Sequence, residues 1–176
     1  NVISAPVFIN NEQVEITSFG DFPTTNDLTI TGPITFGVGN SQLNLGASDA
    51  ELHINGNVVV DNVNTGEGEV DGGINRTGPG TVRINGIISG DGRLVLGGGG
   101  DTTTVLSGSN TINGTVVAAG PIVLDNDLAF GTAVIRQGSV ISSTSDSRTI
   151  NNDWAFSGDI TISGEHSLNW AGGITQ

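Results

Sequence analysis

A five-residue pattern recurs along this chain: an apolar residue, a polar one, Ile, a small polar residue, then Gly. It reads Leu28-Thr-Ile-Thr-Gly32, Leu52-His-Ile-Asn-Gly56, Val82-Arg-Ile-Asn-Gly86 and Ile160-Thr-Ile-Ser-Gly164, with a looser copy at Thr104-Val-Leu-Ser-Gly108. The copies start at Leu28, Leu52, Val82, Thr104 and Ile160, one period apart until the last step, which is close to two. Repetition on a scale of roughly 20–50 residues marks a solenoid, in which one supersecondary unit buries its apolar face only by stacking on the next. No window sustains a 3.6-residue period. Short period-2 stretches dominate instead, and alternation sends Ile, Leu and Val to one face and Thr, His, Arg or Asn to the other. A β-only unit of this length fits three short strands and three turns, which is one coil of a β-helix.

The spacing therefore predicts a parallel β-helix of about seven coils at about 24 residues each. Right-handedness follows from the general preference of parallel crossovers. Inner positions form ladders of β-branched residues, and Ile84 and Ile162 are expected within them. Asn-Gly at 55-56, 85-86 and 113-114 marks turns that call for positive φ or a backbone-mimicking side chain. In an antiparallel β-sandwich, the alternative architecture, the same dipeptides are hairpin turns. No Pro/Ser-rich linker divides residues 1–176, which read as one domain and a segment of a larger protein. Residues 1–27 are a leading strand or cap, 61–73 a long polar loop, and Gly97–Asp101 a flexible corner.

Composition narrows the function. Five Arg and no Lys stand against 18 acidic residues, a formal charge of −13. Phosphate-backbone binding relies on clustered Lys and Arg, so a nucleic-acid partner is excluded. Lysine-based lyase or Schiff-base chemistry is excluded as well. Apolar runs are short, such as Val58-Val59-Val60. They fall far short of the roughly 20 residues that insert into a bilayer. Cysteine is absent, so no disulfide contributes. The chain starts without Met and shows no targeting segment, and it is expected to be processed or excised.

Residues 74–141 carry a second pattern. Thr77-Gly-Pro-Gly80-Thr81 is followed by Leu106-Ser-Gly108-Ser-Asn110-Thr111, then Thr115-Val116 leading to Gly120, then an Asn/Asp turn closing in Leu128-Ala-Phe-Gly131. In order and approximate spacing this resembles the autotransporter-associated β-strand repeat of bacterial surface proteins. One copy is clear, and Asn113-Gly-Thr115 has one Gly where the family commonly has two. The resemblance implies an extracellular passenger-like stalk, secreted or held at the cell surface by a parent anchored in the outer membrane, that supports adhesion or display. Its partners would be neighbouring repeats of the parent chain and host or environmental glycans or proteins. The matching residues, Gly78, Gly80, Thr81, Gly108, Asn110, Thr111, Thr115, Val116, Gly120, Leu128 and Gly131, would then serve turns, strands and core ladder rather than catalysis.

Other constellations bear on chemistry. Asp125-Asn126-Asp127 is the first place to look for paired carboxylates, as in a carbohydrate-active β-helix enzyme. It falls where the resembled repeat has its turn, and Asp and Asn suit turns because they bond nearby amides. An enzyme would need at least two of Asp125, Asp127, Asp146, Asp153 and Asp159 to converge on one outer groove. His53, flanked by Leu52 and Ile54, points outward, and His166 sits in a turn; neither has a nucleophile elbow beside it. No residue is assigned a catalytic role, and the chain is read as a non-enzyme. The loop with Asp61, Asn64, Glu67, Glu69 and Asp71 is rich in oxygen ligands suited to calcium. The EF-hand spacing fails there, since Val63 takes the third position. Among the aromatics, Trp170 is expected to face inward, while Trp154 is the exposed candidate for stacking on a glycan.

Overall fold

Strands form where β-branched and aliphatic residues alternate with polar ones, and corners form at Gly, Asn and Pro. The computed structural model describes residues 2–10, 12–16, 27–37, 39–46, 51–61, 71–99, 102–136, 140–144, 146–156 and 160–175, and these contain no helix. The strands β1 (Val2–Ile3), β2 (Val7–Ile9) and β3 (Gln13–Ile16) begin the series. On them lie β4 (Leu28–Ile30), β5 (Ile34–Phe36) and β6 (Asn40–Leu45), then β7 (Leu52–Ile54), β8 (Val58–Val60) and β9 (Asp71–Thr77). Next come β10 (Gly80–Ile84), β11 (Ile88–Ser89) and β12 (Arg93–Gly99). Two passes then have only two strands each, β13 (Thr102–Leu106) with β14 (Thr115–Ala118) and β15 (Ile122–Leu124) with β16 (Val134–Arg136). The last are β17 (Val140–Ser143), β18 (Arg148–Ile150) and β19 (Trp154–Ala155), then β20 (Thr161–Ile162), β21 (Leu168–Trp170) and β22 (Ile174–Thr175).

The chain visits three stacks in turn. The first and third hold eight strands each, the second holds β2, β5, β8 and β11, and β18 pairs β21 separately. Every pairing among the described residues is parallel, which removes the antiparallel sandwich. Register carries the inner positions into files. Ile30, Ile54, Ile84, Leu106 and Leu124 succeed one another up the first stack. Leu94, Val116, Ile135 and Trp154 do so in the third, and Ile34, Val58 and Ile88 in the second. These files form one buried core from Ile9 to Trp154, with Ile3, Leu168 and Trp170 packed against it. Each fully buried aliphatic contributes about 1.5–3 kcal/mol. Many outer positions are polar: Asn75 donates to Gln42 and Asn44, and Asn85 to Asn55 at 2.8 Å.

Residues 2–16 form the first strand of each stack, while 17–26 lie outside the described residues. Three sequence expectations change. Gly97–Gly99 are not a flexible corner: they continue β12 in register with Asn75–Thr77. Ile162 sits at an inner position opposite Ile141 yet is 58% exposed, because β20 ends its stack.

The third concerns the corner glycines. Gly56, Gly86 and Gly114 do not have positive φ, which among the described glycines belongs to Gly39, Gly78, Gly80, Gly90, Gly131 and Gly164. Their need for glycine is one of approach. Thr31 and Gly32 both donate to the Ile3 carbonyl, Asn55 and Gly56 to that of Ile30, and Asn85 and Gly86 to that of Ile54. This draws each corner down so far that a Cβ on Gly32, Gly56, Gly86 or Gly108 would lie under 3.0 Å from the carbonyl oxygen of the equivalent residue one pass earlier.

Candidate functional site

Asn110, Thr111, Leu128 and Gly131 gather where the second stack is interrupted. Between β11 and β18 two passes cross that side without strands, and buried side-chain amides replace the missing ladder. Asn110, 3% exposed, accepts from the Ile88 amide at 2.8 Å on the pass before and donates to the Ala129 carbonyl at 2.6 Å on the pass after. Asn152 reaches back to the same turn, donating to the carbonyls of Ala133 at 2.9 Å, Gly131 at 3.1 Å and Phe130 at 3.3 Å. Thr111 and Ile112 donate their backbone amides to Ile88, while the fully buried Ile112 and Phe130 keep the core filled. Gly131 needs glycine twice over, with φ of 54° and the Ile112 carbonyl where a Cβ would stand.

The remaining pattern residues are also placed. Gly78 and Gly80 have φ of 97° and 128°, and the Arg76 guanidinium occupies the space beside Gly80. Thr81 offers its carbonyl to Arg76 Nη1 at 3.0 Å. Gly108 continues the corner column, Val116 is core, Gly120 is buried, and Thr111 and Thr115 hold their corners by backbone bonds to Ile88 and Gly92. Leu128 contributes through its backbone, accepting from Asn110, and its side chain is 49% exposed.

Asn110 gives a direct prediction. Asn110→Ala leaves the buried Ile88 amide and Ala129 carbonyl without these partners, so stability should fall by about 2–4 kcal/mol. Asn126 Oδ1 caps the exposed Leu128 amide. Its replacement by Ala should cost about 1 kcal/mol or less. Urea unfolding of the two variants checks the contrast.

A second constellation surrounds Arg148. Its Nη2 lies 3.6 Å from Asp125 Oδ1 and 3.9 Å from Asp146 Oδ2, and its Nη1 lies 3.9 Å from Asp127 Oδ1. Asp125 also accepts from the Thr144 hydroxyl at 2.5 Å, Asp127 from the Thr149 amide at 3.4 Å, and Ser143 donates its hydroxyl to the Asp146 carbonyl. Three of the five aspartates named from sequence thus meet on one outer corner. Asp153 is elsewhere, accepting from the Gly173 amide at 2.8 Å, and Asp159 lies outside the described residues. Arg148, at 18% exposure, is the hub, and no sequence signal marked it. Asp125-Asn126-Asp127 does occupy bends and a turn.

His53 points outward as alternation requires. Its Nε2 stands 3.3 Å from Glu51 Oε2 and 4.0 Å from Asp27 Oδ2, and Glu51 Oε1 is taken by Arg83 Nη2 at 2.9 Å. The neighbours of this imidazole on its own file are Thr29 and Arg83. His166 lies in a bend between β20 and β21.

The acidic loop of residues 61–71 is described only at its ends. Asp61 is exposed beside β8, and Asp71 opens β9, where Oδ2 meets Arg93 Nη1 at 2.7 Å. Asn64, Glu67 and Glu69 lie outside the described residues. Among the described residues no three His, Cys, Asp or Glu side chains are grouped to hold a metal ion.

Trp154 corrects the expectation of an exposed aromatic. It is 2% exposed, because β19 continues the inner file of Leu94, Val116 and Ile135. Trp170 stacks on it at 4.3 Å between ring centroids, and Phe156 meets it edge-on at 6.2 Å. A buried indole has no face to offer a sugar. Comparison with protein-family models, with curated proteins and with solved structures found no match to this chain.

Proposed function

We propose that this chain is a segment of a right-handed parallel β-helix that serves as a stalk in a secreted or cell-surface bacterial protein, of the autotransporter passenger type. Counting one turn per strand of the first stack gives eight turns, against about seven from length alone. At about 4.8 Å per step the eight levels extend over about 34 Å. The observation that carries the reading is the single apolar core through the stacked passes, stitched by Asn110 and Asn152. Such a stack is a stiff spacer, each pass contacting only its neighbours. Its work is to hold other parts of the parent chain away from the cell and to present side loops to glycans or proteins.

The corner around Arg148 favours a second reading, a carbohydrate-active enzyme, because several carboxylates converge there. Against it, a guanidinium sits amid Asp125, Asp127 and Asp146, whereas general acid–base hydrolysis uses two carboxyl groups free to face one glycosidic bond. The double substitution Asp125→Asn and Asp127→Asn should lower stability by about 1 kcal/mol or less, since both pairs are partly exposed. It should change no activity. A glycan-array screen with and without calcium, run beside an assay for released reducing sugar, decides between the readings. The stalk predicts no turnover. Turnover that disappears in the double variant would replace it with the enzyme, and binding without turnover would make the segment itself adhesive.

A further inference from the structure

The Asn-Gly dipeptides at 55-56, 85-86 and 113-114 lie at corners of the stack, and their glycine amides are not equally engaged. In Asn-Gly a main-chain nitrogen readily attacks the preceding side-chain amide, because no Cβ shields it. The attack needs a Gly N–H free of other bonds and an Asn side chain free to fold back over it. All three asparagines are exposed, so access of water does not separate them. The Gly56 amide donates to the Ile30 carbonyl and the Gly86 amide to that of Ile54, each at 3.1 Å. Both glycines are buried, and the two asparagines are joined by Asn85 Nδ2 donating to Asn55 Oδ1 at 2.8 Å. Asn113-Gly114 differs on each point. Asn113 and Thr115 donate their amides to the carbonyls of Gly90 and Gly92, but the Gly114 amide between them has no acceptor among the described residues. Gly114 is only half-buried, and no hydrogen bond among the described residues holds the Asn113 side chain. Packing keeps position 114 a glycine, since a Cβ there would meet the carbonyls of Asp91 and Gly92.

We infer that Asn113 is a site of spontaneous covalent modification, deamidation through a succinimide, from which the fold shields Asn55 and Asn85. The Gly114 nitrogen loses its proton and bonds to Asn113 Cγ. The Cγ–Nδ2 bond breaks, and Nδ2 leaves with that proton as ammonia. Solvent water then opens the ring. Cleavage between the nitrogen and Cγ yields aspartate, and cleavage between the nitrogen and the Asn113 main-chain carbonyl carbon yields isoaspartate. No electrons are exchanged, and water is the one co-reactant. The product adds a negative charge beside the Asp91 main chain, on which Gly114 rests. Isoaspartate also lengthens the backbone by one carbon between the amides anchored to Gly90 and Gly92. The change falls where the chain enters β14 from the first pass that lacks a strand in the second stack.

Trypsin reads the three sites separately. Cleavage after Arg76, Arg83, Arg93 and Arg136 puts Asn55, Asn85 and Asn113 on the peptides 1–76, 84–93 and 94–136. The intact chain is aged in mildly alkaline buffer and digested, and fragmentation in the mass spectrometer places the amide-to-acid mass gain. In the folded chain Asn55 and Asn85 react only through openings that break their corner bonds, so Asn113 should convert at least about tenfold faster than either. In guanidinium, where the corners are gone, the three rates should converge. Equal rates in the folded chain overturn the inference. So does a lead for Asn113 that survives in guanidinium, since it would belong to the local sequence and not to the corner.

Discussion

Ile84→Asp is expected to abolish cooperative folding, while Ile162→Asp leaves a folded protein. Both residues occupy the same place in the five-residue pattern, and sequence alone predicts the same outcome for both. Ile84 is fully buried between Ile54 and Leu106 in the first stack. A carboxylate there loses the apolar contribution of Ile and stands in a file that offers it no partner, a combined loss of about 5 kcal/mol or more. That rivals the whole stability of a typical domain, about 5–15 kcal/mol. Ile162 is 58% exposed on the terminal strand. An aspartate there reaches water and costs about 1 kcal/mol or less. Circular dichroism at room temperature followed by urea titration separates the two. A folded Ile84→Asp with an unchanged midpoint would mean that the fold does not depend on its inner file.

That contrast shows what kind of information the sequence holds. Period 2 is a local property, so strand positions and the inward or outward sense of Ile30, Ile54, Ile84 and His53 were legible. What lies above or below a residue is not local. Ile162 is exposed for that reason, and Trp154 is buried because the file beneath it ends in Ile135. Arg76 is the sharpest failure of patterning. It follows Leu45 in register, at an inner position, and is 2% exposed. Its guanidinium is accommodated by the absence of a side chain at Gly80 and by the Thr81 carbonyl, neither of which alternation can foresee. The Arg148 hub was hidden in the same way, since its carboxylates come from the pass before and from its own corner. Asn110 and Gly131 stand where they do because two passes lack a strand in the second stack, a cause that no local pattern carries.

The corner glycines supply the second large expected effect, and its sign is diagnostic. Gly56→Ala should destabilise the protein by about 3 kcal/mol or more. At an ordinary φ, replacing Gly by Ala restricts the unfolded chain and by itself stabilises by about 0.4–1 kcal/mol. Had Gly56 been selected only for turn flexibility, its replacement would therefore be harmless or helpful. Instead its Cβ meets the carbonyl group of Gly32, a backbone atom that cannot swing aside as a side chain would. Relief requires lifting one pass from the next, which stretches the bonds from Asn55 and Gly56 to Ile30 and disturbs the Asn85–Asn55 amide pair above. Gly73 is the control. An added Cβ there stands 3.2 Å from Gln42 Cγ, an outer side chain that can turn away. Gly73→Ala should therefore shift stability by about 0.5 kcal/mol or less. Thermal unfolding of both variants measures the difference. A stabilised Gly56→Ala would return the corners to turn chemistry.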